Sequence, residues 1–442
     1  MSPRSRRPLE PARPFKRPSL PAQPTAFIGR SDALAEIDRR LADPACRLLT
    51  LVGPGGIGKT RLALAVAEQR LRDFPDGVHF VSLAALSSPD AIAPAITSAF
   101  GLQLPRGGDP LHQLLAYLSD KKMLLVLDNY EHLRDGADLL VDLLEAAPGV
   151  MLLVTSREVL NLRAEWVHPV EGLHYPEEGA MDAPEGYDAV QLFVDRARRV
   201  QSGFSLAQEQ AGVQRVCRLV EGMPLALELA ATWLRTLSCE AIADEIVRGN
   251  GFLATTMRDA PARHRSMRAV FDHSWRLLAD EERAAFARLS VCRGGFTRAA
   301  AETVAGVSLD LLRRLGDKSL IRFNPDGARY HVHELLRQYA AEQLEASGED
   351  EAARVAHLRY FAAFMAARGI DIKGRRQRAG LDETEADFQN VRAAWEGGRA
   401  ARPGRPRPDA RRIVLVLPHP GPGAGGQGAV PPRGDGARAA RG

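Results

Sequence analysis

The stretch Gly53-Pro54-Gly55-Gly56-Ile57-Gly58-Lys59-Thr60 restricts this chain's fold more than any other segment. It matches G-x-x-x-x-G-K-[ST], and its setting is right for that pattern. A continuous apolar run at 47–52 reads as a buried strand before it, and 61–74 reads as a helix after it. Glycines let the backbone curl until its N–H groups converge on a phosphate, and the helix that follows adds its positive N-terminal end. Lys59 then reaches the β- and γ-phosphates, and the Thr60 hydroxyl binds Mg²⁺. Gly53, Gly55, Gly56, Ile57, Gly58, Lys59, Thr60 and Arg61 are the candidate nucleotide-binding residues of this segment.

Short apolar runs at 78–83, 123–127, 150–155 and 165–170 alternate with helical patterns. With the first strand they predict a parallel five-stranded α/β sheet covered on both faces, a P-loop NTPase over 25–172. Strands then cease, and 173–262 reads as a small helical domain. Over 263–346, four helices precede two short strands joined by the turn Asn324-Pro325-Asp326-Gly327, the order of a winged helix. Residues 347–396 read as further helices, the start of a helical-repeat region.

Two strands end in polar residues at the rim where open α/β sheets bind ligands. Met123–Asp128 ends in a carboxylate that would hold Mg²⁺ through water. Asn129 follows where a second acid often orients water, and an amide accepts no proton. Glu131 is the nearest substitute base; a plain loop carboxylate is the competing reading. The run Leu153-Val154-Thr155-Ser156-Arg157 brings a guanidinium suited to a γ-phosphate, or a simple surface arginine. Asp128, Glu131 and Arg157 are thus the candidate catalytic residues, with Thr60 and Asp128 the metal ligands.

The formal net charge of +4 misleads, because 1–24 carry +5 and 397–442 carry +7, which leaves −8 on 25–396. An acidic body does not suit general nucleic-acid binding. The first end is rich in Pro and Arg and the last in Gly, Pro and Arg, and both read as disordered. The last 46 residues hold eleven Gly and eight Pro, and the helix pattern before them stops at Trp395 without a cap. Their GC-rich-codon composition suggests a shifted reading frame or a truncated helical-repeat protein; a native disordered tail is the alternative. Four scattered cysteines without a CxxC pair fit a reduced cytoplasm. No apolar run approaches the ~18 residues of a membrane span.

The stretches FIGR (Phe27–Arg30), GPGGIGKT, LLVLDN (Leu124–Asn129), LLVTSRE (Leu152–Glu158) and GMPLALELAA (Gly222–Ala231) together resemble the NB-ARC signalling ATPases. These belong to the STAND branch of AAA+-related NTPases, and the pattern is most similar to bacterial regulators of the LuxR/AfsR-like type. The resemblance covers about 21–395. It implies adenine nucleotide, ATP or ADP, with Mg²⁺ as cofactor. Ile28 and Gly29 would lie by the adenine, and Pro224 would pack on the nucleotide. His333, in Val332-His333-Glu334, would reach the ADP β-phosphate, although a histidine at a helix start is the plain alternative. The implied function is a nucleotide-operated switch with slow hydrolysis, self-assembly in the ATP state and an unidentified protein effector. Two rivals stand beside it: a DNA-binding regulator that uses the winged helix, and an actively cycling ATPase.

Overall fold

The computed structural model describes residues 20–101, 109–179, 183–249, 251, 253–254, 266–325 and 327–400. The expected disordered ends fall outside these residues except at 20–24 and 397–400. The chain divides into two compact units between His357 and Leu358.

The first unit opens with α1 (Ser31–Ala42), β1 (Leu48–Val52) and α2 (Lys59–Gln69), followed by β2 (Val78–Ser82), α3 (Ile92–Ala99) and α4 (Pro110–Leu118). After these come β3 (Met123–Asp128), α5 (Asp138–Ala146), β4 (Val150–Ser156) and β5 (Glu165–Pro169). The strands form one sheet in the order β2-β3-β4-β1-β5, every pair parallel. This is the five-stranded parallel P-loop NTPase sheet that the sequence implies. β1 and β3 are buried along their whole length, as their unbroken apolar runs require of strands covered on both faces. On one face Leu125, Leu127, Leu152 and Val154 pack with Ile96, Leu118 and Leu143 from α3, α4 and α5.

Helices α6 (Asp188–Val200), α7 (Leu206–Leu219), α8 (Pro224–Ala231) and α9 (Cys239–Arg248) follow. The sequence suggests one helix over 224–237, but α8 ends at Ala231 and gives way to a 3-10 turn, Thr232–Arg235. Next come α10 (Met267–Arg276), α11 (Asp280–Leu289), β6 (Phe296–Thr297), α12 (Arg298–Ala305), α13 (Leu309–Asp317), β7 (Arg322–Asn324), β8 (Arg329–His331) and α14 (Glu334–Ser347). β7 and β8 are the expected antiparallel pair. The two-residue β6 joins them in the order β6-β8-β7 and is too short to carry an alternation of its own.

Helix α15 (Asp350–Lys373) contains the division, and α16 (Gln377–Ala386) and α17 (Phe388–Ala400) complete the second unit around Phe361, Met365 and Val391. The single helix expected over 382–395 is broken at Asp387. α17 also runs on through Gly397 and Gly398 to Ala400, beyond the expected domain boundary at 397.

Two glycines let the sheet's exit and the α7–α8 turn touch backbone to backbone. A Cβ on Gly222, at φ +64°, would stand 1.9 Å from the Leu173 carbonyl oxygen, and one on Gly172 would stand 2.0 Å from that of Glu221. The Leu173 N–H donates to Gly222 O at 2.8 Å across this crossing. Left-handed strain alone costs about 1–3 kcal/mol for a residue with a Cβ. Gly222→Ala is therefore expected to lose about 2 kcal/mol or more, read as a lower urea midpoint at unchanged m-value.

Candidate functional site

Parallel register sets Val52 beside Ser156, Leu127 beside Val154 and Ser82 beside Asp128. The C-terminal ends of β1, β3 and β4 therefore deliver the P-loop, Asp128 and Arg157 to one rim. Asp128 Oδ1 accepts hydrogen bonds from the hydroxyls of Thr60 and Thr155, each at 2.7 Å. Asn129 turns the chain at φ +66° and donates its N–H to Thr155 Oγ1 at 3.0 Å. Burial raises the Asp128 pKa, the two hydroxyls pull it back, and Glu131 pushes it up again. A buried carboxylate beside a threonine hydroxyl is an oxygen donor set that fits Mg²⁺, which keeps most of its waters. A cation there would also offset the burial cost of the charge.

Lys59 is buried, and its ammonium donates to Gly53 O at 2.6 Å and Pro54 O at 3.1 Å. Burial lowers its pKa to about 8, partly opposed by Glu131 and Asp128. The loop around it needs its glycines: Gly56 and Gly58 sit at φ +83° and +93°. This curled, glycine-lined loop fits the polyphosphate of a nucleotide.

Arg157 stands at the rim, with its guanidinium already engaged. Its Nε donates to Glu131 Oε1 at 3.1 Å, and Nη1 donates to Val270 O at 2.9 Å and to the Ser274 hydroxyl. Its own carbonyl accepts from Ser319 Oγ at 2.6 Å. A Cβ on Gly55 would lie 3.0 Å from Arg157 Cζ, so the guanidinium borders the P-loop. Burial raises the Glu131 pKa, but Arg157 and Lys59 outweigh it, and the carboxyl lies below its usual range. Held as a carboxylate by two cations, Glu131 is a weaker proton acceptor than a free glutamate, although its Oε2 is buried without a partner.

The remaining candidates surround the loop. Ile28 is half-buried. Gly29, at φ +71°, lies against Asp188, whose carboxylate accepts from the Arg30 N–H at 2.9 Å. Arg61 turns from the loop and donates to Thr25 O at 2.7 Å and Ala26 O at 2.8 Å, which secures the segment leading to Ile28. Pro224 Cγ would stand 3.7 Å from a Cβ on Gly58, and the Leu225 N–H donates to Gly56 O at 3.2 Å.

His333 caps α14, its Nδ1 accepting from the Leu335 N–H at 3.2 Å. That bond leaves the proton of a neutral ring on Nε2. Nε2 is buried without a hydrogen-bond partner, 3.9 Å from Glu221 Oε2. The ring helps line a cleft of about 1050 Å³ together with Gly53, Pro54, Ile57 and Glu221. The helix-start role is thus real, and an unused donor accompanies it.

Arg30, Thr155, Asp188 and Glu221 are site neighbours that sequence reasoning did not select. Arg30 ends the Phe27–Arg30 stretch, but nothing in a sequence shows a backbone turned to φ +63°. Among the described residues no cluster of three or more His, Cys, Asp or Glu could hold a metal, and no helix is long and apolar enough to cross a membrane.

Residues 43–162 match the AAA-domain family. The Mycobacterium tuberculosis protein Rv0890c, provisionally named an HTH-type transcriptional regulator, is 37% identical over 364 residues, 80% of this chain and 40% of that protein. Rv0894 of the same organism is 34% identical over 340 residues, covering 74% of this chain and 84% of that one. The regulatory protein AfsR of Streptomyces griseus is 30% identical over 350 residues, 74% of this chain and 33% of its own length. This chain thus spans about 40% of the length of the first of these relatives.

The lowered Lys59 pKa has two pH consequences. The unfolded chain holds that proton more tightly, so Lys59 costs stability below about pH 8, and the cost is relieved as pH rises from 8 towards 10.5. Phosphate binding needs the protonated form. ADP affinity is expected to fall about tenfold per pH unit above 8 in the wild type, and to stay flat in Lys59→Met, as read by calorimetry across pH 7–9.5.

Proposed function

This chain belongs to the same protein family as Rv0894 of Mycobacterium tuberculosis and carries an AAA domain; from there we propose that it is an adenine-nucleotide-binding signalling switch of the NB-ARC kind. Lys59 and Thr60 would hold the phosphates and Mg²⁺, with Asp128 anchoring the metal's water. Ile28, Gly29 and Pro224 would flank the base and sugar side. In this reading, residues 263–346 form a winged helix that senses nucleotide through His333. ADP would clamp the modules, and exchange for ATP would release them for assembly with further copies or an effector.

The observation that carries the reading is the shared cleft. It joins Gly53, Pro54 and Ile57 of the P-loop to His333, whose buried Nε2 has no hydrogen-bond partner and could donate to a phosphate oxygen. Slow hydrolysis fits Asn129 after the β3 carboxylate and the pairing of Glu131 with Arg157. The relatives named as regulators suggest transcription as the setting. The rival in which the winged helix itself reads DNA is less well supported. Several of its arginines lie beside acids that offset their charge: Arg313 by Asp310 and Asp317, Arg314 by Glu281, and Arg337 by Glu334. A salt-dependent duplex shift by the full chain would favour that rival.

Lys59→Ala should remove a charged contact worth roughly 1.5–3 kcal/mol; equal ATP affinity in mutant and wild type would refute the site. Turnover should lie orders of magnitude below about 10 s⁻¹, and several turnovers per second from pure protein would refute the switch in favour of a cycling ATPase. His333→Ala should speed ADP release about ten- to a hundred-fold with the fold intact. A stopped-flow chase of fluorescent ADP that shows unchanged release would leave His333 as a helix cap only.

A further inference from the structure

Two carbonyls of the P-loop are held from outside the loop. The Leu225 N–H, free at the start of α8, donates to Gly56 O at 3.2 Å. Arg30 Nη2 donates to Ile57 O, and the same nitrogen donates to Glu171 O at 2.9 Å. The peptide bonds here are trans, so a carbonyl drawn outward turns the next residue's N–H the opposite way. The Ile57 N–H is taken by Pro54 O at 3.4 Å within the loop, so the peptide left to set is Ile57–Gly58: drawing Ile57 O outward turns the Gly58 N–H toward the hollow of the loop, where a phosphate would lie.

Arg30 reaches this position by an unusual route. Gly29 and Arg30 both have positive φ, +71° and +63°, and the Asp188 carboxylate accepts the Arg30 N–H to hold the turn. Such a conformation is costly for a residue with a Cβ and persists only where surrounding contacts over-determine it. The side chain is half-buried, and burial lowers its pKa to about 10. One nitrogen bridging the P-loop to the chain just after β5 leaves this side chain little freedom.

We propose that Arg30 is a positioning residue: it sets the Ile57–Gly58 peptide so that the P-loop is preshaped for phosphate, without having to touch the nucleotide. The inference rests on the nucleotide-switch reading above.

The test compares ADP with adenosine, which carries no phosphate, by equilibrium dialysis of radiolabelled ligand on the full chain. Arg30→Asn tolerates a positive φ but is too short to reach Ile57 O. It should weaken ADP binding about tenfold or more and leave adenosine binding unchanged. Arg30→Lys keeps the charge but has no planar fork, and should show most of the same loss. If Lys restores ADP affinity fully, Arg30 acts by charge alone and the positioning role is overturned. Equal losses for ADP and adenosine would overturn it too, since Arg30 would then merely hold the entry segment in place. So would wild-type ADP affinity in folded Arg30→Asn. Should Arg30→Asn fail to fold, the ADP-to-adenosine ratio in Arg30→Lys decides. A wild-type chain that binds no ADP refutes the switch itself, an outcome distinct from all of these.

Discussion

An ammonium group that water cannot reach must be met by oxygens, or it gives up its proton. At Lys59 those oxygens are the carbonyls of Gly53 and Pro54, in the loop that carries the lysine itself. Much of the site follows from that requirement. The loop can fold back on its own lysine only because Gly56 and Gly58 take left-handed angles. The strand before it must be central and the helix after it must start at once, or the lysine would not be enclosed. Acids gather nearby: Asp128 and Glu131 both act on the Lys59 proton. Phosphate oxygens could replace the two carbonyls without leaving the charge uncompensated, which makes the loop a receptor in waiting.

Arg157 carries the same logic across to the 266–347 region. A guanidinium buried at the rim takes one carboxylate from the β3 turn, a carbonyl and a hydroxyl from α10. Ser319 and the Asp317 carbonyl meet the backbone on either side of it, at Arg157 O and Val159 N–H. The sheet rim and this region are therefore bound through polar groups that a highly charged ligand could compete for, rather than through an apolar seam alone.

The strands and the phosphate loop were legible because their signals are local. β1, β3 and β4 are continuous apolar runs, and continuity is what burial on both faces demands. Asp128 was legible as the polar residue that ends such a run. The partners of Arg157 were not, since Val270 and Ser274 lie over 100 residues away and only the docking of α10 brings them near. Arg61 follows the GKT stretch directly, yet the helix turns it toward Thr25 and Ala26 instead of the loop. The opening of α1 misleads in another way. Ser31 and Asp32 suggest a side-chain cap, whereas the capping position is Arg30 and no side chain bonds there. Backbone angles of this kind are set by what the chain packs on, here Asp188 from α6, and that is invisible in a window of ten residues.

The crossing at Gly172 and Gly222 has a mechanical meaning. Two main chains meet there with no side chains between them, joined by a single N–H to carbonyl bond. A joint one peptide wide resists sliding, because any shift drives backbone into backbone. It resists twisting far less, since one hydrogen bond is a poor lever against torsion. A rearrangement of α6–α9 against the sheet that kept this joint would be a swing about its axis and not a shear, and it would have to part the Leu225–Gly56 and Arg30–Asp188 bonds as well. Glu221 sits on that axis with its side chain against the start of α14, where the Glu334 N–H donates to it at 2.6 Å. A small rotation at the joint would be felt first at the residue next to His333.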